Sequence, residues 1–234
     1  MTTQANTKLW ELAGKEEGRV FSPYAWRVRL VLAHKGLKFE TVPWRYSEKD
    51  LIKPSDKVPV LDIEDKRLFE SWEISKYLDE QRPDQSLFKT KCQAGASGIQ
   101  FITTWADNNM YMAITVVILM DMYNHLAPQD KDYFRKSREA LFGQKLEEVC
   151  KDSPAKIAAF RKEMEPLRQT LKDHKWLGGE QIDYADIAVA GMFLWARAIS
   201  DKQLLEKDDP IFKWRERIFK VFNSTIKNSI GYPV

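Results

Sequence analysis

The chain has 234 residues, 44% of them hydrophobic and 30% charged, a composition that supports an ordinary globular core without covalent staples. Its 37 basic and 34 acidic residues leave a net charge of +3, and no basic block is long enough to track a phosphate backbone, so nucleic acid is a poor partner. The opening MTTQANTK has neither the charged-then-apolar order nor the cleavage pattern of a signal peptide, which gives the expectation of a cytoplasmic protein.

In chain order, KLWEL at 8–12 alternates like a half-buried strand, and the polar AGKEEGR after it is a loop. FSPYAWRVRL at 21–30 then sets a serine and a proline in front of helical spacing, with Val28, Leu30, Val31, Leu32 and Ala33 as the apolar face and Gly36 as the stop. A second strand is expected at 38–42. Ser47 and Asp50 open a short helix that Pro54 closes. Residues 58–63 and 67–69, joined by Glu64-Asp65-Lys66, read as a hairpin. Helical spacing returns at 71–81 on Trp72, Ile74, Tyr77 and Leu78, and Pro83 ends it. The order strand, helix, strand, helix, strand, strand, helix over 1–81 predicts an α/β thioredoxin-like domain.

Beyond a linker at 82–90, residues 91–234 predict an all-α domain with helical segments at 99–125, 131–150, 155–175, 184–200 and 211–223, punctuated by Pro128, Pro154 and Pro210. The apolar run MYMAITVVILM at 110–120 is about half the ~20 residues of a membrane span and is read as a core helix, with no membrane partner. Asp183 with Asp186 forms a helix cap, and Ile182 can staple against Ile187. Cys92 and Cys150 lie far apart without a CxxC motif or a neighbouring histidine, so they read as packing thiols. His34, His125 and His174 show no partner spacing and read as structural.

Four motifs in order, FSPYAWRVR, KVPVL at 57–61, FESWEISKYL at 69–78 and the cap at 182–186, together resemble the cytosolic glutathione transferases. SPYAWRVRLVLAHKGL is similar to the omega-class segment, in which a cysteine stands where this chain has Ser22. APQDKDYFRKSREALFGQKLEEV, KWLGGEQIDYADI and DDPIFKWRERIFKVF look like the bacterial lignin β-etherases and the related fungal etherase-type transferases.

Ser22 alone is a good N-cap, worth roughly 1 kcal/mol. A hydroxyl has one donor and two acceptor sites, so capping leaves it free to donate to a bound sulfur. The resemblance implies this catalytic role: Ser22 would hold the thiolate of glutathione. Lowering a thiol by about two pH units from ~8.5 requires roughly 2.7 kcal/mol of preference for the thiolate, within reach of one charge-assisted hydrogen bond and a helix N-terminus. The backbone N–H groups of Tyr24 and Ala25 are further candidate donors. Serine cannot form a mixed disulfide, so glutathione's own sulfur must be the nucleophile.

The resemblance also implies that Val58 and a cis Pro59 pair with the cysteinyl moiety, that Glu70 and Ser71 hold the γ-glutamyl end, and that Arg45 or Lys57 meets the glycyl carboxylate. Each has a plainer reading, as an edge strand, a helix cap at Ser71 or surface charges. Tyr24, Trp26, Trp105 and Tyr111 are the expected walls of an electrophile site between the domains, although aromatic residues at helical spacing also build cores. The implied protein is a homodimeric transferase that needs glutathione as co-substrate and no metal, and acts on a hydrophobic aromatic molecule. The etherase-like segments point to attack on an aryl ether carbon with loss of a phenol. The alternatives are a ligandin-type carrier of aromatic compounds and a glutathione-dependent isomerase. Cysteine-dependent dehalogenation is disfavoured, because no cysteine stands near Ser22.

Overall fold

Strand β1 (Lys8–Leu12) takes two partners in the computed structural model, which describes residues 7–16, 18–88 and 93–233. It pairs in parallel with β2 (Glu40–Trp44) and antiparallel with β3 (Val60–Ile63), and β3 turns back into β4 (Lys66–Phe69), giving the order β2-β1-β3-β4. A parallel pair requires a crossover, and α1 (Pro23–His34) supplies it, ending at Gly36 with φ +63°. Strand β2 starts two residues later than the pattern suggested and contains Pro43, which an edge strand tolerates.

The short helix expected after Ser47 is a 3₁₀ turn at Tyr46–Ile52, and its cap lies earlier. The Arg45 N–H donates to Glu48 Oε2 at 2.9 Å, while the Ser47 N–H is taken by Asp130 Oδ1 at 2.9 Å from the helical half. Helix α2 (Ser71–Gln81) has its expected bounds. Glu70, at φ 61°, precedes it, so Ser71 is the first helical residue and not the cap.

The helical half begins with α3 (Gln93–Trp105), which passes through a π turn at Ala106–Met110 into α4 (Tyr111–His125). The apolar run buries Ile114, Val117, Ile118 and Leu119 on α4, and among the described residues no helix is long and apolar enough to cross a membrane. Two expected long helices are each divided. Gly143, at φ 68°, separates α5 (Lys131–Phe142) from α6 (Leu146–Val149), and Pro166 sits in the first turn of α8 (Glu165–Asp173) after α7 (Ser153–Glu163). Glycine favours a left-handed helix end, and proline lacks the N–H needed to continue one. The chain closes with α9 (Tyr184–Ile199), α10 (Pro210–Val221) and α11 (Asn223–Lys227).

Helix α9 is buried almost all round. Asp183 caps it, accepting from the Ala185 N–H at 2.8 Å. The fully buried Asp186 carboxylate accepts from the N–H groups of Leu177, Gly178 and Asp183 and from Trp214 Nε1 at 2.7 Å, so it joins the preceding loop to α10. Gly191 lets α9 approach α1: an added Cβ would stand 2.6 Å from the Pro23 carbonyl oxygen. The first turn of α1, which carries Ser22 at its cap, is thereby pressed against the helical half. The architecture is a thioredoxin-like α/β domain followed by an all-helical domain. The expected linker at 82–90 begins with a 3₁₀ turn at Pro83–Gln85 and ends outside the described residues.

Candidate active site

Ser22 stands where β1 hands over to α1. The Phe21 N–H donates to the Leu12 carbonyl at 2.9 Å, and the extended backbone of Ser22 (φ −113°, ψ 126°) aims its hydroxyl at the first turn, where Oγ accepts from the Ala25 N–H at 3.2 Å. That bond uses an acceptor site only. Among the described residues the Ser22 O–H has no acceptor, although the residue is 5% exposed. It faces a cavity of about 320 Å³ walled by Tyr24, Tyr46, Tyr111, Tyr133 and Trp195.

A second cavity of about 370 Å³ adjoins the first and shares Tyr24, Lys57 and Val58 with it. Its remaining lining is Pro59, Glu70, Ser71 and Asp107. The Val58–Pro59 peptide is cis. Lys57 Nζ pairs with Glu70 Oε1 at 2.9 Å, with both side chains well exposed. Ser71 is buried at the start of α2, its carbonyl accepting from the Ser75 hydroxyl at 2.6 Å. Asp107, on the π turn, pairs with Arg27 at 2.6 Å.

The structure therefore brings Ser22, Tyr24, Lys57, Val58, Pro59, Glu70, Ser71 and Tyr111 into two connected cavities. Three other expected residues line neither. Trp26 is 1% exposed in the core, beneath the Arg29 guanidinium, because two residues along a helix from Tyr24 is about 200° around it. Trp105 closes α3 ahead of the π turn, and only Tyr111, beyond that turn, faces the cavity. Arg45 is held by the Gly14 carbonyl at 3.3 Å and by Glu48.

Sequence reasoning missed Trp44, Tyr46, Met122, Tyr133, Arg138 and Trp195 in the wall. For Trp195 a signal existed: it lies four residues after Gly191, on the face of α9 that meets α1. Tyr111 stacks on Trp195, with ring centroids 5.1 Å apart, and on Tyr24 at 6.1 Å.

Burial, reinforced by Asp107, pushes the Tyr24 phenol well above the ordinary tyrosine range, and burial does the same to Tyr46, so both stay neutral. The Ala25 N–H is committed to Ser22, so of these two donors the hydroxyl is the one left for a ligand. Burial lowers His34 and His125, which bond to the Gln85 carbonyl and the Tyr232 hydroxyl outside both cavities. Burial raises the Cys150 thiol, in keeping with a packing role; Cys92 lies outside the described residues. An anionic sulfur placed beside Ser22 would meet one O–H donor at the positive end of a 12-residue helix.

Residues 21–81 match the family described as glutathione S-transferase, N-terminal domain, and residues 99–221 match glutathione S-transferase, C-terminal domain. Glutathione S-transferase U28 of Arabidopsis thaliana is 26% identical over 198 residues, covering 80% of this chain and 76% of that protein. The crystal structure of glutathione transferase GSTFuA3 from Phanerochaete chrysosporium superposes with a TM-score of 0.82 at 20% identity, over 94% of this chain and 98% of its own. CsGST63524 of Ceriporiopsis subvermispora, solved in complex with glutathione, gives a TM-score of 0.72 at 20% identity, over 95% and 97% of the two chains. With both domain matches in register with the two halves of the fold, the chain belongs to the glutathione S-transferase family.

Proposed function

We propose that the protein is a glutathione transferase in which Ser22 holds the glutathione thiolate for attack on an aromatic electrophile. The observation that carries this reading is the unspent O–H of Ser22, which caps α1 with its oxygen and faces the cavity junction with its proton free. Glutathione would lie across the smaller cavity. Its cysteinyl backbone would run beside Val58 and Pro59, and its γ-glutamyl carboxylate would meet the start of α2 at Ser71. Its ammonium would take over the Glu70 carboxylate from Lys57, releasing Lys57 toward the glycyl carboxylate. The glutathione complex of the Ceriporiopsis subvermispora relative supports a tripeptide site in this fold.

The larger cavity, walled by tyrosines and Trp195, suits an aromatic second substrate, and the etherase-like segments of the helical half suggest a β-aryl ether. In that reaction the thiolate sulfur bonds to the ether-bearing carbon. The carbon–oxygen bond breaks with its electron pair going to oxygen, and the departing phenolate takes a proton from solvent. The protein contributes a lowered thiol pKa and the placement of two substrates. We also infer a homodimer formed through the outer face of α2 and α3. There Phe101 is 72% exposed next to Gln100, which lines a groove with Trp72 and Phe88.

Turnover of a model β-aryl ether with glutathione tests the reading. Equal amounts of thioether and phenol, formed at least tenfold more slowly by Ser22→Ala, are expected. Tight binding of the ether with no product from the wild type would instead indicate a carrier.

A further inference from the structure

Helix α5 carries four cations, Lys131, Arg135, Lys136 and Arg138, and Arg138 is the one that lines the cavity holding Ser22. Its neighbours are engaged elsewhere. Arg135 pairs with Glu139 and Glu147, each at 2.8 Å, and the Lys131 ammonium lies over the Tyr123 ring at 4.8 Å. Arg138 is half-buried and forms no ion pair among the described residues; it donates to Ser137 Oγ at 3.1 Å and lies over the Phe134 ring at 4.9 Å. The other cation on the lining, Lys57, is paired with Glu70, and the carboxylate on it, Asp56, is exposed to water. An unpaired guanidinium on the wall of an aromatic cavity has N–H donors to spare for an anionic oxygen.

We propose that Arg138 is a catalytic residue, whose guanidinium receives the phenolate oxygen as the ether carbon–oxygen bond breaks; this deepens the transferase reading above and rests on it. As the glutathione sulfur bonds to carbon, the carbon–oxygen electron pair passes to oxygen, so negative charge moves from the sulfur to the aryl oxygen. Ser22, at the start of α1, and Arg138, on α5, serve the two ends of that movement from different domains. Solvent protonates the phenolate once it leaves.

The phenols of the wall are weaker receptors than a guanidinium, and burial keeps Tyr24 and Tyr46 neutral. At Tyr46, Arg138 opposes the effect of burial and favours the ionised phenol, so its charge already reaches one phenol in this wall. A fixed cation beside charge that develops only in the transition state speeds the step without tightening binding of the uncharged ether.

The test uses the intact protein with S-methylglutathione in the tripeptide site and 4-nitrophenol in the larger cavity, its ionisation followed by absorbance. Wild type should bind the phenolate about tenfold more tightly than the phenol, moving the titration of the bound ligand to lower pH. The preference should vanish in Arg138→Gln, survive in part in Arg138→Lys and persist in Arg135→Gln, which removes a cation paired elsewhere on the same helix. A second measurement compares turnover of aryl ethers that expel phenol or 4-nitrophenol. Arg138→Gln should lower kcat about tenfold for phenol, the poorer leaving group, and less than threefold for 4-nitrophenol. No preference for phenolate in the wild type, a preference kept in Arg138→Gln, or equal slowing with both ethers would overturn the proposal. A wild type that prefers phenolate through Arg138 but turns over neither ether would uphold Arg138 as the phenolate receptor and overturn the aryl ether as substrate.

Discussion

Arg27 and Asp107 form an ion pair at 2.6 Å between α1 of the thioredoxin-like domain and the π turn of the helical domain. Arg27 is 1% exposed, its Nε also donates to the Ala188 carbonyl of α9 at 3.2 Å, and its guanidinium stacks 5.1 Å from the Tyr24 ring. One side chain thus ties both domains together at the wall shared by the two cavities. Arg27→Leu removes a second donor from the Ala188 carbonyl, which keeps its helical partner, and leaves Asp107, 33% exposed, to be rehydrated, so it should lower unfolding free energy by about 1–2 kcal/mol. Asp107→Asn instead leaves the buried Arg27 guanidinium without its counter-charge, and should cost about 2–4 kcal/mol. Urea unfolding of both variants measures the difference, and a cost below about 1 kcal/mol for Asp107→Asn would remove the ion pair from this role.

The stack of Tyr111 on Trp195 separates electrophile binding from glutathione binding. Tyr111 lines only the larger cavity. Tyr111→Leu is therefore expected to raise KM for an aromatic electrophile about five- to tenfold, the worth of a lost aromatic contact. KM for glutathione should stay within twofold. Steady-state kinetics with each substrate varied in turn gives both numbers.

Lys57 and Arg45 separate the same way. Lys57 borders both cavities and is already paired with Glu70, whereas Arg45 is engaged at Gly14 and Glu48. Lys57→Ala should raise KM for glutathione about tenfold through loss of a charge-assisted contact. Arg45→Ala should leave it within twofold. The reverse order would return the glycyl carboxylate to Arg45.

Much of this arrangement was legible in the sequence because it rests on local signals. Ser-Pro before an apolar helical face, Gly36 at its end and the Asp183–Asp186 cap each act within a few residues, and each appears where the sequence places it. Helix ends decided by distant partners were not legible. The cap before Glu48 moved because Asp130, 83 positions away, claims the Ser47 N–H. The cavity wall was legible only in part, since periodicity tells that Trp26 and Trp195 are buried but not which of them faces a void.

Asp183 predicts a pH dependence. Burial, with Asp186 nearby, pushes its carboxyl from an ordinary 3.8 up to about 6. An acid raised in the folded state binds its proton more tightly there than when unfolded, so stability falls as pH rises from about 4 to 6 and is level above that. Asp183→Asn keeps an oxygen for the Ala185 N–H and cannot ionise. Relative to wild type, the variant should gain about 1–2 kcal/mol between pH 4 and pH 7. A constant difference in unfolding free energy across that range would contradict the assignment.

The central claim is that the Ser22 hydroxyl stabilises a bound thiolate. Calorimetric titration of glutathione at neutral pH, in buffers of different ionisation heat, counts the protons released on binding. The account predicts release of about one proton by the wild type and little by Ser22→Ala, whose stability should fall by only ~1 kcal/mol through loss of the cap. Binding without proton release in the wild type, or equal release by the variant, would contradict it and leave Ser22 as the cap of α1 alone.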